Sequence, residues 1–154
     1  MILRELEWGH PDSVALRAAQ RVDLDARYGG PDSEPGPHPT ADDITVFFAA
    51  YDDSGVPMGC GALRQLDAPD QHDEHGEIKR MFVQPASRGS GAAAAILRRL
   101  EEYARDLGWT RLVLETGHLQ PEAMRFYERE GYHSIPPFGY YADSPNSLCY
   151  EKVL

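Results

Sequence analysis

Arg88-Gly89-Ser90-Gly91-Ala92-Ala93 is the segment of this sequence whose residue types are best suited to chemistry. Its two glycines lie where a loop enters a predicted helix, and small residues there let backbone N–H groups approach an anion closely. The helix dipole adds positive potential at that point, and Arg88 adds a fixed cation. The segment predicts either a binding site for an anion such as a phosphate, or a helix start that uses glycine only for tight packing.

One class of phosphate-binding protein can be tested against this segment directly. Residues 89–94 fit the G-x-G-x-x-A pattern of dinucleotide-binding sheets, and Glu115 ends the next predicted strand. In those sheets the glycines follow their strand at once, whereas residues 84–88 intervene here. No Gly-Lys-Ser/Thr follows, so a Walker phosphate loop is excluded as well. A nucleotide-dependent oxidoreductase is therefore the weaker alternative.

Apolar periodicity predicts the elements that must position this segment. The predicted strands span residues 2–7, 44–51, 58–66, 77–83, 112–116 and 148–154, and the predicted helices begin near residue 10 and span 88–107 and 121–130. Residues 52–55 read as a hairpin turn, and the Pro- and Gly-rich residues 29–39 read as a long loop. The order predicts one α/β domain over residues 1–154.

The faces of these elements are predicted from side-chain spacing. Asp12 or Ser13 is expected to cap the first helix. Its predicted apolar side is Val14, Ala15, Ala18, Ala19 and Val22. The second helix has an apolar stripe of Ala93, Ile96, Leu97, Leu100, Ala104 and Leu107. On its solvent-exposed face, Arg98 is predicted to pair with Glu102, and Glu101 with Arg105. Strand alternation places Ile78, Arg80 and Phe82 on one side and Lys79, Met81 and Val83 on the other.

Overall charge and composition restrict the partners. The chain has 15 Lys and Arg against 25 Asp and Glu, a formal net charge of −10, so nucleic acid is not an expected partner. No apolar run approaches the ~20 residues of a membrane-spanning helix, and the N-terminal residues lack a signal-peptide pattern. We therefore expect a cytoplasmic location and no membrane partner. Cys60 and Cys149 suit buried thiols, and the scattered histidines predict no metal site.

Two blocks of the sequence together resemble the GNAT superfamily of acyl-CoA-dependent N-acyltransferases. Residues 83–93 are similar to the R-x-x-G-x-G/A loop of that family after a V-x-P strand end. Residues 120–132 are similar to its N-x-x-A-x-x-x-Y-x-x-x-G-F/Y block, with Gln120 where asparagine is more usual. Either block alone is a weak pattern, but both in this order, about thirty residues apart, make a strong one.

This resemblance implies a GNAT-like α/β fold with a mixed central sheet and helices on both faces, in which a splayed pair of parallel strands binds acetyl-CoA. The pantetheine arm would pair with residues 81–83, the N–H groups of residues 88–93 would hold the pyrophosphate, and helix 121–130 would flank the thioester. The residues assigned to the co-substrate are Met81, Phe82, Val83, Arg88, Gly89, Ser90, Gly91, Ala92, Ala93, Gln120 and Tyr127. The backbone N–H of Phe82 or Val83 is the candidate for stabilising the oxyanion, and no metal is implied.

Two side chains are expected to move protons in such a reaction. A neutral amine attacks the thioester carbonyl and a thiolate leaves, and the resemblance implies that Tyr127 protonates that sulfur. Otherwise Tyr127 is a packing residue of its helix. Glu77 is expected to take the proton of the amine directly or through water, unless it is a solvated acid that pairs with Lys79 or Arg80. The alternatives for the base are His75, Glu115 and bulk water.

We therefore expect an N-acetyltransferase that moves an acetyl group from acetyl-CoA directly to a primary amine of a small cationic molecule or a peptide. A cationic acceptor is favoured by acids on segments expected to rim the cleft, and Tyr140 and Tyr141 would add aromatic faces for an ammonium group. These acids are Asp32, Glu34, Asp67, Asp70, Asp73, Glu74 and Asp143. A non-catalytic acyl-CoA-binding sensor is the other alternative, and the resemblance leaves a homodimer open.

Overall fold

A twisted sheet of seven strands forms the centre of the protein in a computed structural model that describes residues 1–31, 35–66 and 74–154. The strands are β1 (Ile2–Glu5), β2 (Val46–Tyr51), β3 (Pro57–Leu66), β4 (His75–Val83), β5 (Arg111–Gly117), β6 (His133–Ile135) and β7 (Ser147–Val153), in the spatial order β1-β2-β3-β4-β5-β7-β6. The helices are α1 (Pro11–Tyr28), α2 (Ala92–Asp106) and α3 (Pro121–Arg129). Only the β4–β5 pair is parallel among the pairs of this sheet.

Two hydrophobic clusters show that helices cover both faces of the sheet, as predicted. One cluster packs α2 and α3 against the sheet and includes Ile96, Leu100 and Tyr127. The other packs α1 against the opposite face and is centred on Leu16 and Phe47. The predicted strands and helices all exist, although the sequence interpretation missed the three-residue strand β6. Among the described residues, no helix is long and apolar enough to cross a membrane.

Strands β4 and β5 pair over only three residues before they separate. The paired positions are His75 with Arg111, Gly76 with Leu112 and Glu77 with Val113. Beyond Glu77 the two strands diverge and leave backbone groups of β4 facing a gap. This geometry confirms the predicted splayed parallel pair.

A β-bulge at Arg80 changes which side chains of β4 share a face. Cys60 pairs with Phe82 but Ala62 pairs with Lys79, so two steps along β3 match three along β4. Arg80 has a φ of 60°, in the left-handed region that a non-glycine residue rarely adopts. The predicted grouping of Ile78, Arg80 and Phe82 is therefore wrong. Beyond the bulge, Met81 and Val83 pack with the cluster that contains Ile78, and Phe82 joins the cluster under α1.

Helix α1 buries a different face from the one predicted. Ser13 and Leu16 are buried, whereas Val14 is 48% exposed and Val22 is 71% exposed. Ser13 tolerates burial because its hydroxyl donates to the Glu7 carbonyl at 2.8 Å. The N-cap is His10, whose Nδ1 accepts the Asp12 N–H at 3.0 Å, so the prediction of Asp12 or Ser13 as cap is wrong.

Helix α2 begins at Ala92 and not at Arg88, because Gly89 and Gly91 both have left-handed backbone angles, with φ of 80° and 87°. Its buried residues otherwise follow the predicted stripe, and Gly108, with φ of 82°, lies just after its end. The stripe ends early, since Leu107 is 43% exposed.

The solvent-exposed face predicted for α2 is wrong at two positions. Glu101 is buried, where it accepts hydrogen bonds from the Tyr132 hydroxyl at 2.8 Å and Lys152 Nζ at 3.0 Å. Arg98 bonds Glu130 at 3.0 Å and not Glu102. All three partners, Tyr132, Lys152 and Glu130, come from segments far along the chain, which helical spacing cannot predict.

Candidate functional site

The gap between β4, the start of α2 and α3 forms a cleft of about 600 Å³. All the residues assigned to the co-substrate from the sequence line this cleft except Ser90. The hydroxyl of Ser90 instead accepts the Ala92 N–H at 3.3 Å, so it occupies a helix N–H group that would otherwise face the cleft.

The start of α2 has the features that a phosphate requires. The N–H groups of Ala93 and Ala94, in the first turn, have no acceptor among the described residues. A Cβ at Gly89 or Gly91 would meet no atom within 4 Å, so the loop faces open space. The Arg88 guanidinium lies beside it, where it donates to the Val83 carbonyl at 3.2 Å. A pyrophosphate therefore fits the residues that form this loop.

Helix α1 contributes side chains to the cleft that the sequence analysis missed. Asp23 accepts from Arg88 at 3.3 Å and from Arg27 at 3.2 Å, and Arg27 also pairs with Glu122 at the start of α3. Gln20 donates to the Met81 carbonyl at 3.1 Å, on the open side of β4. A sequence signal existed, because Ser13, Leu16, Gln20, Asp23 and Arg27 repeat at helical spacing. The predicted face was wrong because it was assigned from Val14 and Val22, which are exposed.

A second cavity, of about 300 Å³, lies between α1, β4, β5 and residues 144–147. It shares Met81, Gln120, Ala123 and Tyr127 with the first cleft. The two spaces therefore meet at these four residues, at the point where β4 and β5 separate. A molecule bound in the second cavity could therefore contact, at these four residues, a molecule bound in the cleft.

Tyr127 stands at this junction. Its side chain is only 6% exposed and packs against the rings of Phe126 and Tyr132, with centroids at 5.2 and 5.8 Å. Its hydroxyl has no hydrogen-bond partner among the described residues. Burial, with a further contribution from the charge of Glu115, raises the pKa of Tyr127 well above its usual value. The phenol therefore keeps its proton in neutral and mildly alkaline solution.

Gln120 and Tyr28 form the corner beside this junction. Gln120 donates to the Tyr28 hydroxyl at 3.4 Å and makes no side-chain cap to α3, although it occupies the N-cap position. Tyr28, at the end of α1, approaches β5 closely enough that a Cβ at Gly117 would collide with its hydroxyl. Gly117 therefore lets the end of α1 pack directly on the sheet beside the site.

Glu77 is neither a solvated acid nor a lining residue of the two cavities. It is 0% exposed and lies in a buried cluster, where it pairs with Arg64, accepts from the Tyr141 hydroxyl at 2.7 Å and lies 3.6 Å from Lys79 Nζ. Lys79 in turn donates to the Tyr141 hydroxyl at 2.9 Å and lines the second cavity. Glu77 can therefore reach the cavity through Lys79, so its role as a base stays a prediction.

The other candidate bases occupy different places. His75 is buried at the beginning of β4, with its Nε2 at 3.4 Å from Arg111, and it lines neither cavity. Glu115, on β5, lines the second cavity together with Tyr127. Glu115 is thus the candidate carboxylate that borders the junction directly.

Most of the acids that favoured a cationic acceptor lie outside the described residues, namely Asp32, Glu34, Asp67, Asp70 and Asp73. Glu74 and Asp143 are described and exposed, and neither lines the second cavity. Tyr141 is buried with its hydroxyl bonded in the Glu77 cluster, and Tyr140 is 63% exposed.

The two cysteines are buried free thiols, as expected. Burial raises the pKa of the Cys60 thiol to about 12, and its Sγ donates to the Arg80 carbonyl at 3.2 Å. In the described part of the chain, no group of three or more metal-ligating side chains is present.

Comparison with known proteins gives a consistent result. The model of the acetyltransferase (GNAT) family matches residues 14–132. The chain is 43% identical over 109 residues to an IAA acetyltransferase of Azospirillum brasilense, which covers 71% of this chain and 69% of that protein. It is 36% identical over 111 residues to the uncharacterized N-acetyltransferase YsnE of Bacillus subtilis, with 71% and 70% covered.

A solved structure extends the similarity to the whole chain. It is a Klebsiella pneumoniae protein assigned as an acyl-CoA N-acyltransferase, with a TM-score of 0.78 and 30% sequence identity. The alignment covers 99% of this chain and 97% of that one.

Proposed function

This chain belongs to the acetyltransferase (GNAT) family, and on that premise we propose that it transfers the acetyl group of acetyl-CoA directly to a primary amine. Acetyl-CoA would lie in the cleft, with its pyrophosphate at the start of α2 and its thioester at Tyr127. The amine would come from the second cavity. Acetyl-CoA and the amine are the two partners that the reaction requires.

The observation that carries this proposal is that the two cavities meet at Met81, Gln120, Ala123 and Tyr127. Direct transfer needs the attacking nitrogen and the thioester carbon to approach from different sides without an intermediate carrier. Separate spaces that share one junction satisfy this need. A covalent acyl-cysteine would instead need a thiol at the junction, and both cysteines are buried elsewhere with raised pKa values.

The transfer balances with the groups at the junction. The protonated amine loses one proton to become a nucleophile, its lone pair forms the new N–C bond, and the C–S bond breaks with its electron pair on sulfur. Tyr127 donates its phenolic proton to that sulfur and regains a proton from the acetylated nitrogen. Each turnover therefore yields an amide, a thiol and one proton released to solvent.

The strand register favours Val83 over Phe82 as the oxyanion donor. The Gln84 N–H bonds the Met58 carbonyl at 2.8 Å, and backbone groups alternate in direction along an antiparallel strand. The N–H of Phe82 consequently points towards β3, and that of Val83 points towards the open side. A backbone donor fixed in this way can stabilise charge that develops on the acetyl oxygen.

For the proton of the amine we propose two routes that experiments can separate. In the first, which follows the sequence prediction, Glu77 draws the proton through Lys79 or Tyr141, or through water. In the second, Glu115 accepts it directly, since Glu115 borders the junction. The first route makes Glu77 a positioning residue that acts through its neighbours.

A thermal-shift comparison with acetyl-CoA, CoA and NAD(P), followed by turnover with a panel of amines, tests the function. Only a ligand that binds the folded state raises the melting temperature, so acetyl-CoA and CoA should do so and NAD(P) should not. Release of CoA thiol and the mass of the acetylated amine then report transfer. Binding of CoA without transfer to any amine would favour the acyl-CoA sensor.

A further inference from the structure

The second cavity carries positive charge in spite of the acidic composition of the chain. Its charged lining residues, in the described part of the chain, are Lys79 and Arg80 against Glu115. The chain as a whole has 15 basic and 25 acidic residues. Lys79 is only 6% exposed, and Glu77, at 3.6 Å from its Nζ, compensates part of the charge that it buries, so Arg80 is the more important of the two cations for a ligand in this cavity.

Arg80 is placed in this cavity by the bulge of β4. The bulge holds Arg80 at a φ of 60°, a conformation that costs a non-glycine residue stability. The register shift turns Arg80 out of the alternation that its neighbours follow, and its side chain lines both the second cavity and a third one. A strained position that keeps an arginine, where glycine would be relaxed, points to a use for its guanidinium.

The third cavity, of about 300 Å³, continues the positive surface. It shares Gln20, Leu24 and Arg80 with the second cavity, and its other charged lining residues in the described part of the chain are Arg17 and Arg21. Burial lowers the pKa of Arg17, and the nearby charge of Arg80 acts in the same direction, while the Cys60 thiol opposes it.

The arginines of the third cavity are held in defined positions. Arg17 lies over the Trp8 ring, with its Cζ 3.6 Å from the ring centroid, and donates to the Trp8 carbonyl at 2.6 Å. Arg21 lies 3.5 Å from His38 Nδ1. The acceptor side is therefore lined by ordered cations, with Arg80 between the two cavities.

We infer that the acceptor carries a carboxylate beside its amine, so that the substrate class is α-amino acids and similar small amino carboxylates. This inference rests on the proposed function. The amine would lie at the junction near Glu115 and Tyr127, and the carboxylate would lie against Arg80, with Lys79 adding positive charge. An arginine fork matches the two oxygens of a carboxylate.

The size of the second cavity agrees with this class. A space of about 300 Å³ is at the small end of ligand pockets, which suits a molecule of amino-acid size better than an aminoglycoside. The cationic acceptor expected from the sequence would place its second positive charge near Lys79 and Arg80, where like charges repel. The charge of the lining residues therefore favours the opposite sign from the one predicted.

The test compares acceptors that differ only in the carboxylate. The panel consists of alanine, alaninamide and ethylamine, then phenylalanine, phenylalaninamide and phenethylamine, with spermidine as a polycation. We expect kcat/KM for an amino acid to exceed that for its amide by about tenfold or more, and the preference to weaken as salt screens the charges. The amino group of an amino acid amide is less basic than that of the amino acid, so a larger fraction of it is neutral and reactive at a given pH. In the absence of a carboxylate site, the amide would therefore react faster than the amino acid.

Substitutions of Arg80 locate the effect. Arg80→Gln should raise KM for the amino acid by about tenfold and so narrow the difference between the amino acid and its amide, and Arg80→Lys should restore part of that difference. Arg80→Gly removes the guanidinium and also relieves the backbone strain, so it should bind the amino acid as poorly as Arg80→Gln does and melt at a higher temperature than Arg80→Gln. The matched control is Arg105→Gln, an exposed arginine of α2 that lines neither cavity and changes the net charge equally.

Each outcome decides between the proposals. Transfer to amides or spermidine as efficient as transfer to amino acids would overturn this inference and leave the acetyltransferase function intact, as would an Arg80→Gln effect no larger than that of Arg105→Gln. If no amine is acetylated, calorimetric titration of the CoA-saturated protein takes over. Selective binding of the amino acid would then uphold the carboxylate site and refute the transfer, whereas no binding of either would refute the inference as well.

Discussion

The start of α2 offers a substitution whose effect on the co-substrate can be separated from its effect on the fold. Gly91 and Gly108 flank the two ends of α2, both in left-handed conformation, with φ of 87° and 82°. A Cβ at either position would meet no atom within 4 Å. Alanine should therefore introduce the same backbone strain, about 1–2 kcal/mol, at both. Only Gly91 lies in the cleft.

The expected loss of affinity follows from the N–H groups beside Gly91. A hydrogen bond to a charged group contributes about 1.5–3 kcal/mol, so a methyl group that pushes the pyrophosphate away from one N–H should raise Kd by roughly 10- to 100-fold. At a CoA concentration of about 100 times the wild-type Kd, the ligand stabilises the folded state by about 2.7 kcal/mol. In Gly91→Ala the same concentration should contribute only about 0.4–1.4 kcal/mol.

Differential scanning fluorimetry with and without CoA measures this difference. At about 2–4 °C per kcal/mol for a chain of this length, wild type and Gly108→Ala should gain about 5–11 °C from CoA. Gly91→Ala should gain about 1–6 °C in the same titration. Without ligand, both variants should melt below wild type by similar amounts.

The comparison of the two variants can refute the assignment of the loop. If CoA raises the melting temperature of Gly91→Ala as much as that of Gly108→Ala, the pyrophosphate does not lie at the start of α2. If Gly91→Ala alone loses stability without ligand, the glycine serves packing, and the loop has the structural role that the sequence left open.

Four further predictions concern titratable side chains. Tyr127→Phe should lower kcat by roughly 10²–10⁴-fold with little change in CoA affinity, measured at saturating substrates, and an unaltered kcat would return Tyr127 to a packing role. Glu77→Gln and Glu115→Gln distinguish the two routes for the proton of the amine. The acid limb of the pH–rate profile should move or vanish in the variant that lacks the base and stay unchanged in the other variant. An acid limb that is unchanged in both variants would indicate that bulk water takes the proton. Glu77→Gln should also lower the free energy of unfolding by roughly 3–5 kcal/mol in urea, because it leaves the buried Lys79 and the partly buried Arg64 without their carboxylate. Cys60 has a pKa of about 12 in the folded state against 9.0 as reference, so its thiol contributes stability that is fully present below pH 9 and is lost as the pH rises towards 12. The free energy of unfolding of wild type should thus fall by up to about 4 kcal/mol more than that of Cys60→Ala over this range, and parallel curves would contradict the raised pKa.

The helices, the strands and the glycine-rich loop before α2 could be predicted because they depend on local chemistry. Glycine is required where φ is positive, as at Gly89 and Gly91, and a proline starts α3 at Pro121. Apolar spacing is likewise read from neighbouring residues, and it located β2, β3 and α2 within a few positions. These patterns were sufficient to predict an α/β sheet and the order of the elements, whereas the mixed sheet and the splayed strand pair were predicted from the resemblance of two motifs to the GNAT superfamily.

The second cavity, proposed above as the acceptor side, could not be predicted because it is built from residues far apart in sequence. Arg80 reaches it through a bulge whose existence depends on the pairing with β3, and strand alternation placed that side chain differently. Gln20, on α1, contacts the open side of β4. The apolar spacing of α1 did not predict this contact, because the helix packs on the sheet through a different face from the one that carries its valines.

The backbone conformations at the glycines and prolines, and the family that the motifs resemble, follow from short segments of fixed residue type. The partners of the buried carboxylates depend instead on how the elements pack. Glu77 with Tyr141, and Glu101 with Lys152, are separated by 64 and 51 positions. Partners at such distances leave no periodic signal, and the free energy of a buried charge depends on the partners that folding brings within hydrogen-bond reach.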